Sequence, residues 1–142
     1  MGVTGIHHIT IRVEDPPASR HWYEEVLGFA FMAIPVSGDV TGIWRGAPAE
    51  GELLAAQIGT SFLIVAPPLE GTLDGDRFSE YRIGMDHIAV GIDDRADLER
   101  LVGSLRAAGI GTEGIELDPV LQKEYVAFRD PDNVQWEFYT AV

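Results

Sequence analysis

Residues 8–15 read HITIRVED, and residues 87–94 read HIAVGIDD, 79 positions further along the chain. A histidine opens each stretch, an aliphatic residue occupies every second position after it, and two acidic residues close it. Alternation with a period of two predicts a β-strand with one buried face. Because this strand occurs twice with the same flanking residues, the sequence predicts two copies of one structural unit.

Both copies continue in the same way after the acidic pair. A helical pattern follows over 16–27 and over 95–108, and each pattern ends at a glycine, Gly28 or Gly109, suited to a left-handed helix cap. Strands are then predicted at 29–36, 53–58 and 61–66, with a poorly defined one near 41–45, and at 114–117, 124–129 and 134–140.

The predicted fold class is therefore α+β, built from two βαβββ modules. The first module spans 1–66, a linker spans 67–84, and the second module spans 85–142. Units of about 65 residues bury too little surface to be stable alone, so the two modules should pair as one structural domain.

Composition excludes several classes of function. The chain has 142 residues, of which 46% are hydrophobic, and its formal net charge is −13. This charge argues against binding to nucleic acid or to an anionic membrane surface. The absence of cysteine removes thiolate metal sites and cysteine nucleophiles. The first twenty residues lack the apolar run of a signal peptide, so a cytoplasmic protein is expected.

Four stretches carry a resemblance to a known family. They read HHI at 7–9, WYEEVLGF at 22–29, DHIAV at 86–90 and FRDPDN at 128–133, the last leading to Glu137. With the βαβββ repeat, they resemble the vicinal oxygen chelate superfamily. This superfamily includes glyoxalase I, extradiol dioxygenases, fosfomycin-resistance proteins, methylmalonyl-CoA epimerase and bleomycin-binding proteins. The resemblance implies that each sheet curls into a half-barrel and that the paired half-barrels form a cleft around a metal.

The resemblance also implies the ligands of that metal, which are His8, His87 and Glu137. The repeat selects His8 over His7, which should pack on the helix side. Many members add a fourth ligand at a place that falls near Leu63 or Ile64, where this chain has no polar side chain; Gln57 is the nearest candidate and lies on the wrong strand. The gap counts against glyoxalase I or epimerase chemistry.

Two imidazoles and one carboxylate suit Fe(II) with open coordination positions. Mn(II), Ni(II) or a catalytic Zn(II) are alternatives. For Glu137 itself, the alternative is a strand residue that faces solvent.

Five further residues are candidates for the substrate side of the site. Arg12 and Arg129 are candidate cations for an anionic substrate group, with surface ion pairs as the alternative. Trp44 is a candidate aromatic contact to substrate. Tyr125 and Tyr139 are candidate catalytic groups or stacking partners, with core or interface packing as the alternative.

These features predict a metal-dependent enzyme, with an extradiol-type non-haem Fe(II) dioxygenase acting on a small aromatic substrate as the first choice. One alternative is a glyoxalase-like lyase, isomerase or thiol transferase that uses Mn(II), Ni(II) or Zn(II). The other is a metal-free protein that binds an antibiotic, as in bleomycin resistance.

A homodimer is predicted, because half-barrels with exposed sheet edges need partners and a two-fold interface closes them. The resemblance allows one site to draw on both chains. Sedimentation velocity should therefore give the mass of a dimer, and mixing inactive His8→Ala and Glu137→Ala chains should restore some activity. Sedimentation as a monomer at working concentration would contradict the dimer.

Overall fold

The computed structural model of the protein describes residues 2–36 and 51–141. It has two compact units, one running to Asp76 and one starting at Arg77. Each unit contains one helix and a four-stranded mixed sheet in the order of a βαβββ module. The predicted α+β class and its two modules are thereby confirmed. The strand predicted near 41–45, and Trp44 with it, lies outside the described residues.

The first unit contains β1 (His8–Arg12), α1 (Pro16–Leu27), β2 (Phe31–Val36), β3 (Gly51–Ile58) and β4 (Ser61–Ala66). Its sheet has the order β1-β4-β3-β2. Strand β1 is parallel to β4, and the other neighbours are antiparallel. Strand β2 begins two residues after the start predicted for it at residue 29, because the amides of Gly28 and Phe29 bond back to the end of α1.

The second unit contains β5 (Ile88–Ile92), α2 (Arg95–Ala107), β6 (Glu116–Asp118), β7 (Lys123–Arg129) and β8 (Gln135–Thr140). Its order is β5-β8-β7-β6, again with the first strand parallel to the last. The strand predicted at 114–117 is displaced to 116–118. Gly114 has a φ of +89° and donates to the Thr112 hydroxyl, which is turn geometry and not strand geometry.

The acidic pair of the repeat begins each helix. The Asp15 side chain accepts from the Ala18 amide at 3.0 Å, and the Asp94 side chain accepts from the Asp97 amide at 3.0 Å. Each thus satisfies an amide that the first helical turn leaves unpaired. At the other ends, Gly28 is the left-handed cap of α1, and Gly109 takes a φ of +73° just beyond Ala108. The predicted helix limits are correct to within one residue.

Each sheet has a helix-facing side that forms the core and an opposite side that carries polar groups. In the first unit Ile11 and Leu63 are buried, whereas His8, Thr10 and Arg12 are exposed on the other face of the sheet. In the second unit α2 contacts β7 and β8. The apolar residues buried there are Leu98, Leu101, Val102, Leu105, Val126, Phe128, Trp136 and Phe138.

His7 was expected on the helix side, and that expectation is wrong. It is exposed, because β1 begins only at His8 and strand alternation does not extend to residue 7. Neither helix in the described part of the chain has the length and apolar character needed to cross a membrane.

The turn between β7 and β8 is organised by one buried carboxylate. Asp130 is 4% exposed. Its Oδ1 accepts from the amides of Asp132 and Val134, both at 2.9 Å, and its Oδ2 accepts from Nε1 of Trp136 at 3.3 Å. Asn133 takes a left-handed φ of +73°, which asparagine tolerates better than most residues. The turn thus sets the register of β8.

We predict that Asp130→Ala lowers the free energy of unfolding by roughly 2–4 kcal/mol, because three donors lose their buried acceptor. Urea unfolding followed by circular dichroism measures this. Asp93→Ala makes the same change in charge at an exposed position and should alter stability by less than about 0.5 kcal/mol. Equal urea midpoints for the two variants would contradict the role given to Asp130.

Candidate metal centre

His87 and Glu137 come together on the polar face of the second sheet. His87 directly precedes β5, and Glu137 lies in β8. The His87 Nε2 is 3.4 Å from the Glu137 Oε2. His87 is partly exposed, whereas Glu137 is only 8% exposed.

This separation fits two ligands of one ion. Donors at about 2.0–2.2 Å from a divalent metal, at angles of roughly 90–110°, stand about 3.0–3.5 Å apart. The 3.4 Å distance is also longer than a good hydrogen bond between a ring nitrogen and a carboxylate. The donor atoms of His87 and Glu137 therefore fit a metal ion that the two side chains would share.

Asp86 orients the ring of His87. Its Oδ1 is 2.6 Å from the His87 Nδ1. An ionised carboxylate can only accept, so Nδ1 carries the proton and the lone pair of a neutral ring lies on Nε2. A carboxylate bound to the far nitrogen of a histidine is a common arrangement behind metal ligands. Sequence reasoning missed this role, although Asp86 directly precedes the repeated histidine.

The first copy has a comparable contact at the equivalent position. Residue 7 corresponds to residue 86 in the repeat, and the His7 Nδ1 lies 2.9 Å from the His8 Nδ1. One of these nitrogens must donate and the other accept. If His8 donates, its Nε2 is free to bind a ligand. In both copies, therefore, the residue before the candidate ligand engages its Nδ1.

Small residues flank Glu137 in the sheet. Its register partners are Ala89 on β5 and Ala127 on β7. Neither side chain is long enough to cover the carboxylate. Gln135 donates from Nε2 to the Glu137 Oε1 at 2.8 Å. A buried carboxylate is costly without such partners, so this hydrogen bond lowers the cost of keeping Glu137 on the sheet.

Tyr125 and Tyr139 share that face of the sheet and stack on each other. Their ring centroids are 5.0 Å apart and the planes differ by 11°. The Tyr139 hydroxyl donates to Asp118 at 2.9 Å, and the Tyr125 hydroxyl reaches Glu116 at 3.4 Å. Burial, reinforced by these carboxylates, raises the pKa of both hydroxyls. Both are therefore protonated at neutral pH and suit hydrogen-bond donation better than general-base catalysis.

The two candidate arginines are already engaged. The Arg12 Nη1 donates to the Pro67 carbonyl at 2.9 Å. Arg129 donates to both Glu80 oxygens, at 2.6 and 3.2 Å, and its hydrogen bonds hold the pKa of the Glu80 carboxyl below its ordinary value. For Arg129 this is the ion pair that the sequence left open as the alternative. Trp44, the third candidate for substrate contact, lies outside the described residues.

Strand register identifies the counterpart of Glu137 in the first unit. Glu137 pairs with Ala89, two residues after His87, and Ile64 pairs with Thr10, two residues after His8. Ile64 therefore occupies the position where a second carboxylate would stand. It is buried in an apolar cluster with Leu53 and Ala55. The Gln57 amide instead bonds to the Gly59 carbonyl at 2.9 Å.

Of the three predicted ligands, the structure brings His87 and Glu137 together, while His8 stands in the first unit. Among residues 2–36 and 51–141, no three histidine or acidic side chains are grouped closely enough to enclose a metal ion. The second unit thus supplies one nitrogen and one oxygen donor, and the ligand role of His8 stays a prediction.

The sequence model of the Glyoxalase/Bleomycin resistance protein/Dioxygenase superfamily matches residues 5–138. The chain belongs to this superfamily. The uncharacterized protein YaeR of Escherichia coli (strain K12) is 28% identical to this chain over 140 residues, which are 98% of each chain.

Solved structures have the same fold. The glyoxylase/bleomycin resistance protein/dioxygenase domain from Frankia sp. EAN1pec superposes with a TM-score of 0.75 at 24% identity, covering 98% of each chain. Lactoylglutathione lyase from Agrobacterium tumefaciens superposes with a TM-score of 0.64 at 19% identity, over 99% of this chain and 96% of that one. At these identities the likeness extends to the fold, and the reaction has to be argued from the site.

We predict that one divalent ion binds per chain and that His87→Ala weakens its binding at least about tenfold, because so small a donor set has no redundancy. Titration with Mn(II) or Zn(II) followed by elemental analysis measures this. His21→Ala removes an exposed histidine of α1 and should leave the metal content unchanged. Equal metal content in wild type and His87→Ala would rule out His87 as a ligand.

Proposed function

We propose that this superfamily member is a divalent-metal-dependent enzyme whose protein ligands are His8, His87 and Glu137. The observation that carries the proposal is the 3.4 Å approach of the His87 Nε2 to the Glu137 Oε2, with Asp86 on the far nitrogen of the ring. This arrangement presents an imidazole lone pair and a carboxylate oxygen toward one point, which is what a divalent cation requires.

We further propose an extradiol-type dioxygenase reaction on a small aromatic substrate, with Fe(II) as the metal. The support is the aliphatic side chain of Ile64 where a second carboxylate would stand. Two histidines and one carboxylate leave positions open for a chelating substrate and for dioxygen. Bound Fe(II) would supply the redox chemistry of that reaction.

Charge on the polar face of the second sheet also favours a substrate without several negative charges. This face carries the carboxylates of Glu116, Asp118 and Glu137, and the positive charge of Arg129 is neutralised by Glu80. A polyanionic thiol cofactor would meet repulsion here. The stacked rings of Tyr125 and Tyr139 offer an apolar edge for an aromatic ring.

A glyoxalase-like lyase is the second candidate. The fold is shared with lactoylglutathione lyase from A. tumefaciens, and the same donors would also accept Zn(II), Ni(II) or Mn(II). In that case the metal would act as a Lewis acid and dioxygen would not be needed. The absence of a carboxylate at position 64 makes this candidate the weaker one.

We expect anaerobic reconstitution with Fe(II) to give oxygen uptake that depends on an added catechol. An oxygen electrode with a panel of catechols measures it. Glu137→Gln should lower the rate at least about a hundredfold, because the site loses its anionic ligand. Glu14→Gln makes the same change at an exposed residue and should match wild type.

Two other outcomes would overturn the dioxygenase proposal. Turnover of the hemithioacetal of methylglyoxal and glutathione with Ni(II) or Zn(II), with no need for oxygen, would identify a lyase. Tight binding of a planar antibiotic that survives chelation, in a chain that purifies without stoichiometric metal, would identify a metal-free binding protein.

A further inference from the structure

The two oxygens of the Glu137 carboxylate face different partners. Oε2 faces the His87 Nε2 at 3.4 Å, and Oε1 accepts from the Gln135 Nε2 at 2.8 Å. A carboxylate that is free to turn about its last bond would present either oxygen to His87. The hydrogen bond from Gln135 selects one of them.

Arg129 in turn fixes the orientation of the Gln135 amide. The Arg129 Nη2 donates to the Gln135 Oε1 at 3.1 Å. A guanidinium has donors and no acceptor, so the amide oxygen must face Arg129 and the amide NH₂ group must face Glu137. A flipped amide would place an oxygen against the carboxylate and an NH₂ group against the guanidinium, which is unfavourable on both sides.

Arg129 is itself held from two directions. Glu80 binds its guanidinium through both carboxylate oxygens, and the Asn133 carbonyl accepts from Nη1 at 3.0 Å. Arg129 is also within the second unit, on the strand next to β8. Such a forked contact restrains the plane of a guanidinium more than a single contact does. The series Glu80, Arg129, Gln135 and Glu137 is therefore continuous.

The turn between β7 and β8 also holds the segment that precedes His87. The Phe78 amide donates to the Asp132 carbonyl at 3.0 Å, and the Asn133 Nδ2 donates to the Phe78 carbonyl at 2.9 Å. With Glu80 on Arg129, these bonds attach residues 78–80 to the end of the β7–β8 hairpin. The hydrogen-bond network thus contacts the β7–β8 hairpin, which carries Glu137, and also the segment that precedes His87.

We propose that Gln135 is a positioning residue for metal binding, which directs the Glu137 Oε2 toward the His87 Nε2, and that Arg129 acts through Gln135. This inference rests on the proposed metal site. A neutral hydrogen-bond donor such as glutamine can orient the Glu137 carboxylate in this way. An apolar or anionic side chain of similar size would not orient it.

The test compares the dissociation constant for Mn(II), measured by competition with a chelator, in wild type, Gln135→Met and Gln57→Met. Methionine matches glutamine in length and lacks its hydrogen bonds. Gln135→Met should weaken binding about 10–100-fold. Gln57→Met, where the lost amide bond goes only to the Gly59 carbonyl, should bind as wild type does.

A structural role is separated from a positioning role by the urea midpoint of the metal-free chains. We expect the midpoints of wild type and Gln135→Met to agree while their Mn(II) affinities differ. Gln135→Glu is the second variant; it keeps the length of the side chain and replaces the donor by a second carboxylate. It should bind Mn(II) more weakly than wild type does, and its urea midpoint is checked in the same way.

Arg129→Met should also weaken Mn(II) binding, and the double variant Arg129→Met/Gln135→Met should bind no more weakly than Gln135→Met alone, because Arg129 acts through the glutamine. Unchanged affinity in Gln135→Met and Gln135→Glu would overturn the inference while leaving the metal site intact. Failure of wild type to bind Mn(II), Fe(II) or Zn(II) would instead overturn the proposed function, and this inference with it.

Discussion

The burial of one carboxylate, that of Glu137, governs the polar face of the second unit. A charged group with 8% exposure in a strand is unfavourable unless hydrogen-bond donors or a cation reach it. The strand neighbours Ala89 and Ala127 cannot do so, because their side chains are apolar and short. Gln135, His87 and Tyr139 approach it instead, the first two at different oxygens. Gln135 is in turn held by Arg129, which Glu80 binds through both carboxylate oxygens.

The division of each sheet into a core face and a polar face follows from the repeat itself. Alternating aliphatic residues place Ile11 and Ile88 on the buried face, and the acidic residues after them cap the helices that cover it. Helix and strand are thereby specified by the same eight residues in each copy. On the opposite side of the first sheet, Ile64 packs with Leu53 and Ala55, and the histidine that opens the stretch is exposed.

Much of this could be predicted from the sequence, for local reasons. The limits of α1 and α2 depend on capping residues and glycines close to the helix ends, and the sequence predicts these limits to within one residue. The Asp130-Pro131 turn was recognisable from its composition. Strand β6 was misplaced because it has only three residues, and its start depends on the Thr112–Gly114 contact, which has no periodic signal.

The candidate site was only partly predictable, because side-chain partners far apart in sequence decide it. Nothing near Arg129 in sequence points to Glu80, 49 positions away, as its partner. The same holds for the tyrosine hydroxyls and the carboxylates of β6. Asp86 and His7 are adjacent to the histidines they contact, but which ring nitrogen they reach depends on rotamers that the sequence does not encode.

The aliphatic side chain of Ile64 has a consequence for the electrostatics of the proposed site. A divalent cation held by two neutral imidazoles and one carboxylate keeps one net positive charge, whereas a second carboxylate would make the assembly neutral. A site with residual charge stabilises the singly deprotonated form of a bound hydroxyl group and so lowers the pH at which that group ionises. In the proposed site, an isoleucine instead of a carboxylate at position 64 would therefore favour the deprotonated form of a bound hydroxyl group.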